Sequence, residues 1–238
     1  MPGLVHERCY GGLLMSRSQY PGLFITFEGV EGCGKSTQAT ALLERLLADG
    51  VPSTLSREPG GTPVGERCRK ILLDVGNAGM QPAAELFLYL ASRAEHVARV
   101  IVPRLEAGEV VISDRFGDAS VAYQGGGRGL GTDTVEALNQ VATGGVKPDV
   151  TFLMDLDPSE GLDRLVRGRG EHSRDRMESE VLEFHKRVRE AYLQSSRREP
   201  ERFVVIDARL SREEIGAQVG AAVDRLLEER GLPTGRTP

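Results

Sequence analysis

The chain has 238 residues and 39% hydrophobic content, enough to bury the core of one α/β domain. A net charge of -5 provides no overall attraction to nucleic acid or anionic lipid, which favours a small ligand over a polymer as partner. Three scattered cysteines count against a disulfide framework. The chain has no apolar run of about 20 residues, which counts against a membrane span, and no signal-peptide order at the N-terminus, which counts against export. We therefore expect a cytoplasmic protein.

Short β-rich runs alternate along the chain with longer segments whose apolar residues recur with the period of a helix. The β-rich runs predict strands at 23–29, 53–58, 110–114, 150–156 and 203–207. The helical segments are 36–49, 83–107, 133–143, 158–168, 178–196 and 211–230. This alternation predicts a three-layer α/β/α fold around a five-stranded parallel sheet, with ligands beyond the carboxyl ends of the strands. We expect one domain over 21–230, a disordered extension at 1–20 and a flexible tail at 231–238.

A glycine-rich motif lies between the first predicted strand and the first predicted helix. Residues 29–36 satisfy GxxxxGK[ST], the phosphate-binding P-loop, in the strand-to-helix setting that this motif requires. Backbone N–H groups of such a loop cradle phosphate, Lys35 bridges the β- and γ-phosphates, and the Ser36 hydroxyl can bind Mg²⁺. The predicted ATP-binding residues are Gly29, Val30, Glu31, Gly32, Cys33, Gly34, Lys35, Ser36 and Thr37. The expected fold is that of the P-loop NTPases, which include switches and motors as well as kinases.

Five motifs resemble those of bacterial thymidylate kinases in order and spacing, from about residue 23 to residue 207. They are FEGVEGCGKST, REPGGTPVGE, ELFLYLASRAEH, SDRFGDASVAYQGGGRG and DRMESE. The resemblance implies phosphorylation of dTMP by ATP with Mg²⁺, in a homodimer without membrane or nucleic-acid partners. A kinase of this type neutralises the acceptor phosphate and holds a base, so it needs arginines and an aromatic or amide surface near the P-loop.

The resemblance also implies an acceptor site, residue by residue. Arg57, Arg69 and Arg115 surround the dTMP phosphate, which planar bidentate guanidinium groups bind well. Tyr89 matches a position that is usually Phe in the family and stacks on thymine, whereas its apolar helical run alone would place it in the core. The other implied contacts are Arg93 with a thymine carbonyl, Ser120 and Gln124 with the base edge, Tyr123 with the 2′ carbon, and Glu31 with the 3′-hydroxyl.

The resemblance further implies where the catalytic cations lie. Some relatives carry an arginine directly after the P-loop acid, where this chain has Gly32, so an arginine-rich lid at about 167–177 must supply that cation. The lid arginines are Arg167, Arg169, Arg174 and Arg176. We take Arg169 as the first choice and Arg176 as the second. With the P-loop lysine and the arginine that ends the third strand, the predicted catalytic residues are Lys35, Arg115, Arg169 and Arg176.

Three residues are candidates for the Mg²⁺ site. Besides Ser36, the acids Asp114 and Glu58 either hold the ion through water or orient the arginines beside them. The sequence does not separate these two roles.

Two other functions fit the P-loop. One is a kinase for another nucleoside monophosphate, against which the YQGGGRG sequence after DRF favours thymidylate. The other is a nucleotide-dependent ATPase or GTPase switch, but the chain shows no NKxD guanine-recognition motif. The GGGRG run at 125–129 is interpretable as no more than a flexible turn, and we assign Arg128 no chemistry.

Overall fold

The computed structural model describes residues 20–169 and 175–234, with the side chain of Arg169 left out. The strands are β1 Leu23–Glu28, β2 Ser53–Arg57, β3 Val110–Asp114, β4 Val150–Asp155 and β5 Phe203–Asp207. They form one sheet in the order β2-β3-β1-β4-β5, and every neighbouring pair is parallel. The predicted five-stranded parallel sheet is confirmed, and each strand ends within one residue of its predicted end.

Nine α-helices lie within the described residues. They are α1 Lys35–Ala48, α2 Pro63–Leu73, α3 Pro82–His96, α4 Val102–Glu106, α5 Gly117–Ser120, α6 Thr132–Thr143, α7 Pro158–Arg169, α8 Leu182–Arg198 and α9 Arg212–Arg230. A short 3-10 turn follows α2 at Val75–Asn77, and π-helical turns follow α3 at Val97–Ile101 and α5 at Val121–Gly127.

The sheet is covered on both faces, as the alternation of side chains along β1 requires. Leu23, Ile25 and Phe27 point into the larger core cluster, which also contains apolar residues of α1 and α9. Phe24, between them in sequence, points to the opposite face and packs with a second cluster formed with Ile101 and its neighbours. The three-layer α/β/α prediction is therefore confirmed.

Three helix predictions are corrected. The single segment expected at 83–107 is broken by the π-helical turn into α3 and α4, and Pro103 stands in the first turn of α4. The segment expected to begin at 178 forms a helix only from Leu182. Helix α2 was missing from the six expected segments. Its start has the features of a helix N-terminus, since the Thr62 side chain accepts from the Gly65 N–H and Pro63 occupies the first helical position.

The glycine run after β3 is not a flexible turn. Residues 121–127 form a π-helical turn against α8. A Cβ atom on Gly126 would lie 2.6 Å from the Ala191 Cβ, and one on Gly127 would lie 2.6 Å from the Phe184 ring. The glycines are needed because side chains of α8 lie against this backbone and leave no room for a Cβ atom.

No helix among residues 20–169 and 175–234 is long and apolar enough to cross a membrane.

Candidate active site

The P-loop connects β1 to α1 at the carboxyl edge of the sheet. Gly29, Gly32 and Gly34 have φ angles of 138°, 71° and 95°, in the region that favours glycine. Lys35 is buried and its Nζ donates to the Val30 carbonyl oxygen at 2.7 Å. The ammonium group thus lies inside the loop that would surround a phosphate chain.

Gly32 makes a contact that excludes any side chain at its position. A Cβ atom there would lie 2.1 Å from the carbonyl oxygen of Gly161 in α7. In return, a Cβ atom on Gly161 would lie 2.2 Å from the carbonyl oxygen of Glu31. In this fold an arginine cannot occupy position 32 without displacing α7.

Glu31 is a P-loop carboxylate that is shared by three neighbours. Its Oε1 accepts from Tyr123 Oη at 2.5 Å and from Arg115 Nη2 at 3.1 Å, and its Oε2 lies 3.2 Å from His185 Nδ1. Burial alone would raise the pKa of Glu31, but the contact with His185 and the charge of Arg115 outweigh it and lower the pKa to about 2. Glu31 is therefore an anion at neutral pH and holds Arg115 and Tyr123 in place.

A cavity of about 250 Å³ opens beside the P-loop and brings three predicted arginines together. Arg57 ends β2 and is paired with Glu66 at 3.1 Å, while Arg69 in α2 donates to the Pro59 carbonyl at 2.9 Å. Arg115 follows β3 with a φ of 73° and donates to the Gly29 carbonyl at 3.1 Å. Burial, and then the nearby charge of Arg57, lower the pKa of Arg69, because both disfavour its charged form.

The far wall of the same cavity contains the predicted base-site side chains. Tyr89 is half-buried, and Ser120, Tyr123 and Gln124 are buried; all four line the cavity. Lys35 and Ser36 of the P-loop line it too. The cavity thus joins the P-loop, a ring of cations and an aromatic and amide surface.

Arg93 lies behind this wall rather than on it. Its side chain is fully buried and is not among the residues that line the cavity. Its guanidinium donates to four acceptors, which are Glu58, Ser120, Asn139 and the Phe116 carbonyl. In this conformation Arg93 supports Ser120, and its direct contact with a base stays a prediction.

The two acidic metal candidates are in different surroundings. Glu58 is buried, with Oε2 accepting from Arg93 Nε at 2.8 Å and Oε1 lying 2.9 Å from His96 Nδ1. Asp114 accepts a short hydrogen bond from the Ser36 hydroxyl at the mouth of the P-loop. These contacts favour the orienting role for Glu58 and leave Ser36 and Asp114 as the pair that faces the nucleotide site.

The lid arginines are only partly described. Arg167 is exposed near the end of α7, whereas the side chain of Arg169 and the whole of Arg174 lie outside the described residues. Arg176 is buried, with Nε donating to the Leu72 carbonyl at 2.6 Å and Nη1 at 2.6 Å from Glu85 Oε2. It does not line the cavity, and its contacts fix the segment that begins at Asp175 against α2 and α3.

Comparison with known proteins agrees with this geometry. The family model for thymidylate kinase matches residues 27–219. The chain belongs to the thymidylate kinase family. A thymidylate kinase of Desulfosudis oleivorans is 49% identical over 208 residues, which cover 86% of this chain and 97% of that protein. One of Halothermothrix orenii is 50% identical over 198 residues, covering 83% and 94% of the two chains.

Solved structures extend the likeness to the fold. The crystal structure of thymidylate kinase from Ehrlichia chaffeensis superposes with a TM-score of 0.67 at 32% sequence identity. The match covers 85% of this chain and 98% of that one. Membership of the thymidylate kinase family, inferred from the motifs, is confirmed.

Several residues that shape this thymidylate kinase site were not found by sequence reasoning. The half-buried Arg128 and the buried Glu85 form an ion pair at 3.0 Å beside Gln124. His185 in α8 contacts Glu31 from the side opposite Arg115. None of the three has the spacing of a metal ligand or of a catalytic triad. The sequence indicates Glu85 and Arg128 only through their positions in the ELFLYLASR and YQGGGRG motifs.

Proposed function

We propose that this member of the thymidylate kinase family transfers the γ-phosphoryl group of ATP to the phosphate of dTMP. One observation carries the proposal: a single cavity contains the P-loop residues Lys35 and Ser36, three converging arginines and a surface suited to a pyrimidine base. A switch or ATPase needs the first of these features but has no use for the other two.

The arginines Arg57, Arg69 and Arg115 hold the acceptor phosphate and orient one of its oxygens toward the γ-phosphorus. The bond from that oxygen to phosphorus forms as the bond to the β-γ bridging oxygen breaks, with ADP as the leaving group. The acceptor is already an anionic oxygen, so no general base is required. Lys35 stabilises charge on the phosphates throughout.

A Mg²⁺ ion fits the pair Ser36 and Asp114. Both are oxygen donors, the type of ligand Mg²⁺ prefers, and the carboxylate is close enough to accept from the hydroxyl. No group of three or more His, Cys, Asp or Glu side chains that could hold a metal ion occurs in the described ranges. When bound there, Mg²⁺ would offset the negative charge of the phosphates.

Arg169 is the lid arginine that we propose as catalytic. Arg176 is less suitable because its guanidinium is engaged with Glu85 and with a backbone carbonyl of α2. A cation that reaches the transferring phosphoryl only on closure stabilises the transition state more than the ground state. We therefore expect Arg169→Ala to lower kcat by about 10³-fold with a small change in KM, and Arg176→Ala to act mainly on stability.

A homodimer is the proposed assembly. Exposed apolar side chains occur on α2, α3 and α6. Those with the highest exposed fractions are Val141 at 79% and Phe87 at 59%. Sedimentation of the wild type against a Phe87→Glu, Val141→Glu variant tests this, with a monomer expected only for the variant. The cytoplasmic location stays a prediction.

The deciding experiment is a coupled ADP-release assay with ATP, Mg²⁺ and a panel of dTMP, dUMP, dCMP, dGMP and AMP. We expect dTMP to have the highest kcat/KM. ADP release that does not depend on any monophosphate would identify an ATPase. A different preferred acceptor would contradict the assignment of the base-site residues to thymine.

A further inference from the structure

A buried carboxylate outside the predicted site lies directly behind the base-site amide. Glu85, in the first turn of α3, has no exposed surface. Its Oε1 accepts from Gln124 Nε2 at 2.8 Å and from Arg128 Nε at 3.1 Å. Its Oε2 lies 3.0 Å from Arg128 Nη2 and 2.6 Å from Arg176 Nη1.

The charge state of this carboxylate follows from its neighbours. Burial alone would raise the pKa of Glu85, but the hydrogen bonds from Arg128 and Gln124 outweigh it and lower the pKa. An ionised carboxylate has no proton to donate and can only accept hydrogen bonds. The group that Gln124 turns toward Glu85 must therefore be its NH₂ group.

This requirement fixes the other end of the Gln124 amide. With Nε2 bound to Glu85, the carbonyl oxygen Oε1 is the end left for the cavity that Gln124 lines. Within the described part of the chain, no residue donates a hydrogen bond to that oxygen. A buried acceptor with this orientation matches a base edge that donates an N–H, as thymine N3–H does, and mismatches cytosine, whose N3 only accepts.

We propose that Glu85 is a positioning residue for base selection: it locks the Gln124 amide with its carbonyl toward the acceptor base. Arg128 and Arg176 hold Glu85 ionised and in place. The inference rests on the proposed function, because it concerns the same acceptor site.

The test is Glu85→Gln, which keeps the shape of the side chain but removes its charge. A glutamine at 85 can present either its oxygen or its NH₂ group, so the Gln124 amide is free to turn over. We expect the ratio of kcat/KM for dTMP to that for dCMP to fall by at least about tenfold. The loss should appear in KM for dTMP as well as in kcat/KM, with KM for ATP unchanged.

Glu180→Gln is the matched control. Glu180 pairs with Arg128 Nη2 at 2.6 Å but has no recorded contact with Gln124. The same arginine therefore loses one carboxylate in each variant, and only Glu85→Gln frees the amide. We expect Glu180→Gln to keep the wild-type ratio of dTMP to dCMP.

A double-mutant cycle separates positioning from folding. In a Gln124→Leu background no amide remains to be oriented, so adding Glu85→Gln should leave the dTMP-to-dCMP ratio as it is. If Glu85→Gln is too unstable to assay, Glu85→Asp, which keeps the charge but is one methylene shorter, should show a smaller fall in the ratio and gives the same cycle.

The outcomes distinguish the two proposals. A wild-type enzyme with no preference for dTMP refutes the proposed function. A wild-type enzyme that prefers dTMP, with the preference retained in Glu85→Gln or lost equally in Glu180→Gln, leaves that function standing and overturns the role of Glu85.

Discussion

The contact between Gly161 and the P-loop predicts a large effect from one added methyl group. A Cβ atom on Gly161 would lie 2.2 Å from the Glu31 carbonyl oxygen, which is backbone and cannot rotate aside. Overpacking of this kind costs about 1–3 kcal/mol. Alanine in a helix also gains about 0.8–1 kcal/mol over glycine, so the net loss for Gly161→Ala is at most about 2 kcal/mol.

Gly168→Ala in the same helix provides the matched control. A Cβ atom on Gly168 meets nothing within 4 Å, so this variant keeps the helix gain without the clash. The two variants should therefore differ by about 2 kcal/mol, or roughly 4–8 °C in Tm for a chain of this size.

Thermal unfolding and steady-state kinetics measure the two consequences of the clash. Gly161→Ala should lower Tm and raise KM for ATP, because the displaced carbonyl belongs to the P-loop. Equal Tm values for Gly161→Ala and Gly168→Ala, with KM for ATP at its wild-type value, would show that α7 and the P-loop move apart freely and that the contact constrains neither.

Three further predictions concern charge and metal. The pKa of Glu31 is about 2 when folded against an ordinary 4.5, so its contribution to stability is present above pH 4.5 and is lost as pH falls toward 2. Urea unfolding should show the wild type losing about 3 kcal/mol over this range, a loss that is absent in Glu31→Gln. Burial, and then the charge of Asp118, raise the pKa of Glu28 to about 8, so wild-type stability should fall relative to Glu28→Gln as pH rises from 4.5 through 8, and parallel unfolding curves would refute this. Ser36→Ala should raise the Mg²⁺ concentration needed for half-maximal rate, measured by titration with Mg²⁺ at fixed ATP.

Much of the fold and part of the site were predictable because their signals are local. Strands such as β1 are continuous apolar runs between turn residues, and the P-loop is a contiguous motif whose backbone conformation requires its glycines. The arginines at 57, 69 and 115 were assigned from the resemblance to thymidylate kinases. They line one cavity because strand ends and the following helices meet at one edge of a parallel sheet.

What was not predicted depends on partners distant in sequence. Arg176 was the second choice for the catalytic lid arginine, but its burial against Glu85 depends on how the segment that begins at Asp175 packs on α2 and α3. Glu58 likewise has no sequence feature that separates a metal ligand from an orienting acid, and only its contacts with Arg93 and His96 favour the second role. Helix α3 could not be seen to break because its apolar period continues through the π-helical turn.

The position of Glu31 has a thermodynamic consequence for the two substrates. Its backbone belongs to the loop that surrounds the nucleotide phosphates, while its carboxylate holds Arg115 and Tyr123 on the acceptor side. When an anion draws Arg115 away from Glu31, Glu31 loses a hydrogen bond, and Glu31 is part of the loop. Linkage then requires reciprocity: whatever factor dTMP applies to the affinity for ATP, ATP must apply to the affinity for dTMP. One buried carboxylate thus connects the loop that surrounds the nucleotide phosphates to the acceptor side of the cavity.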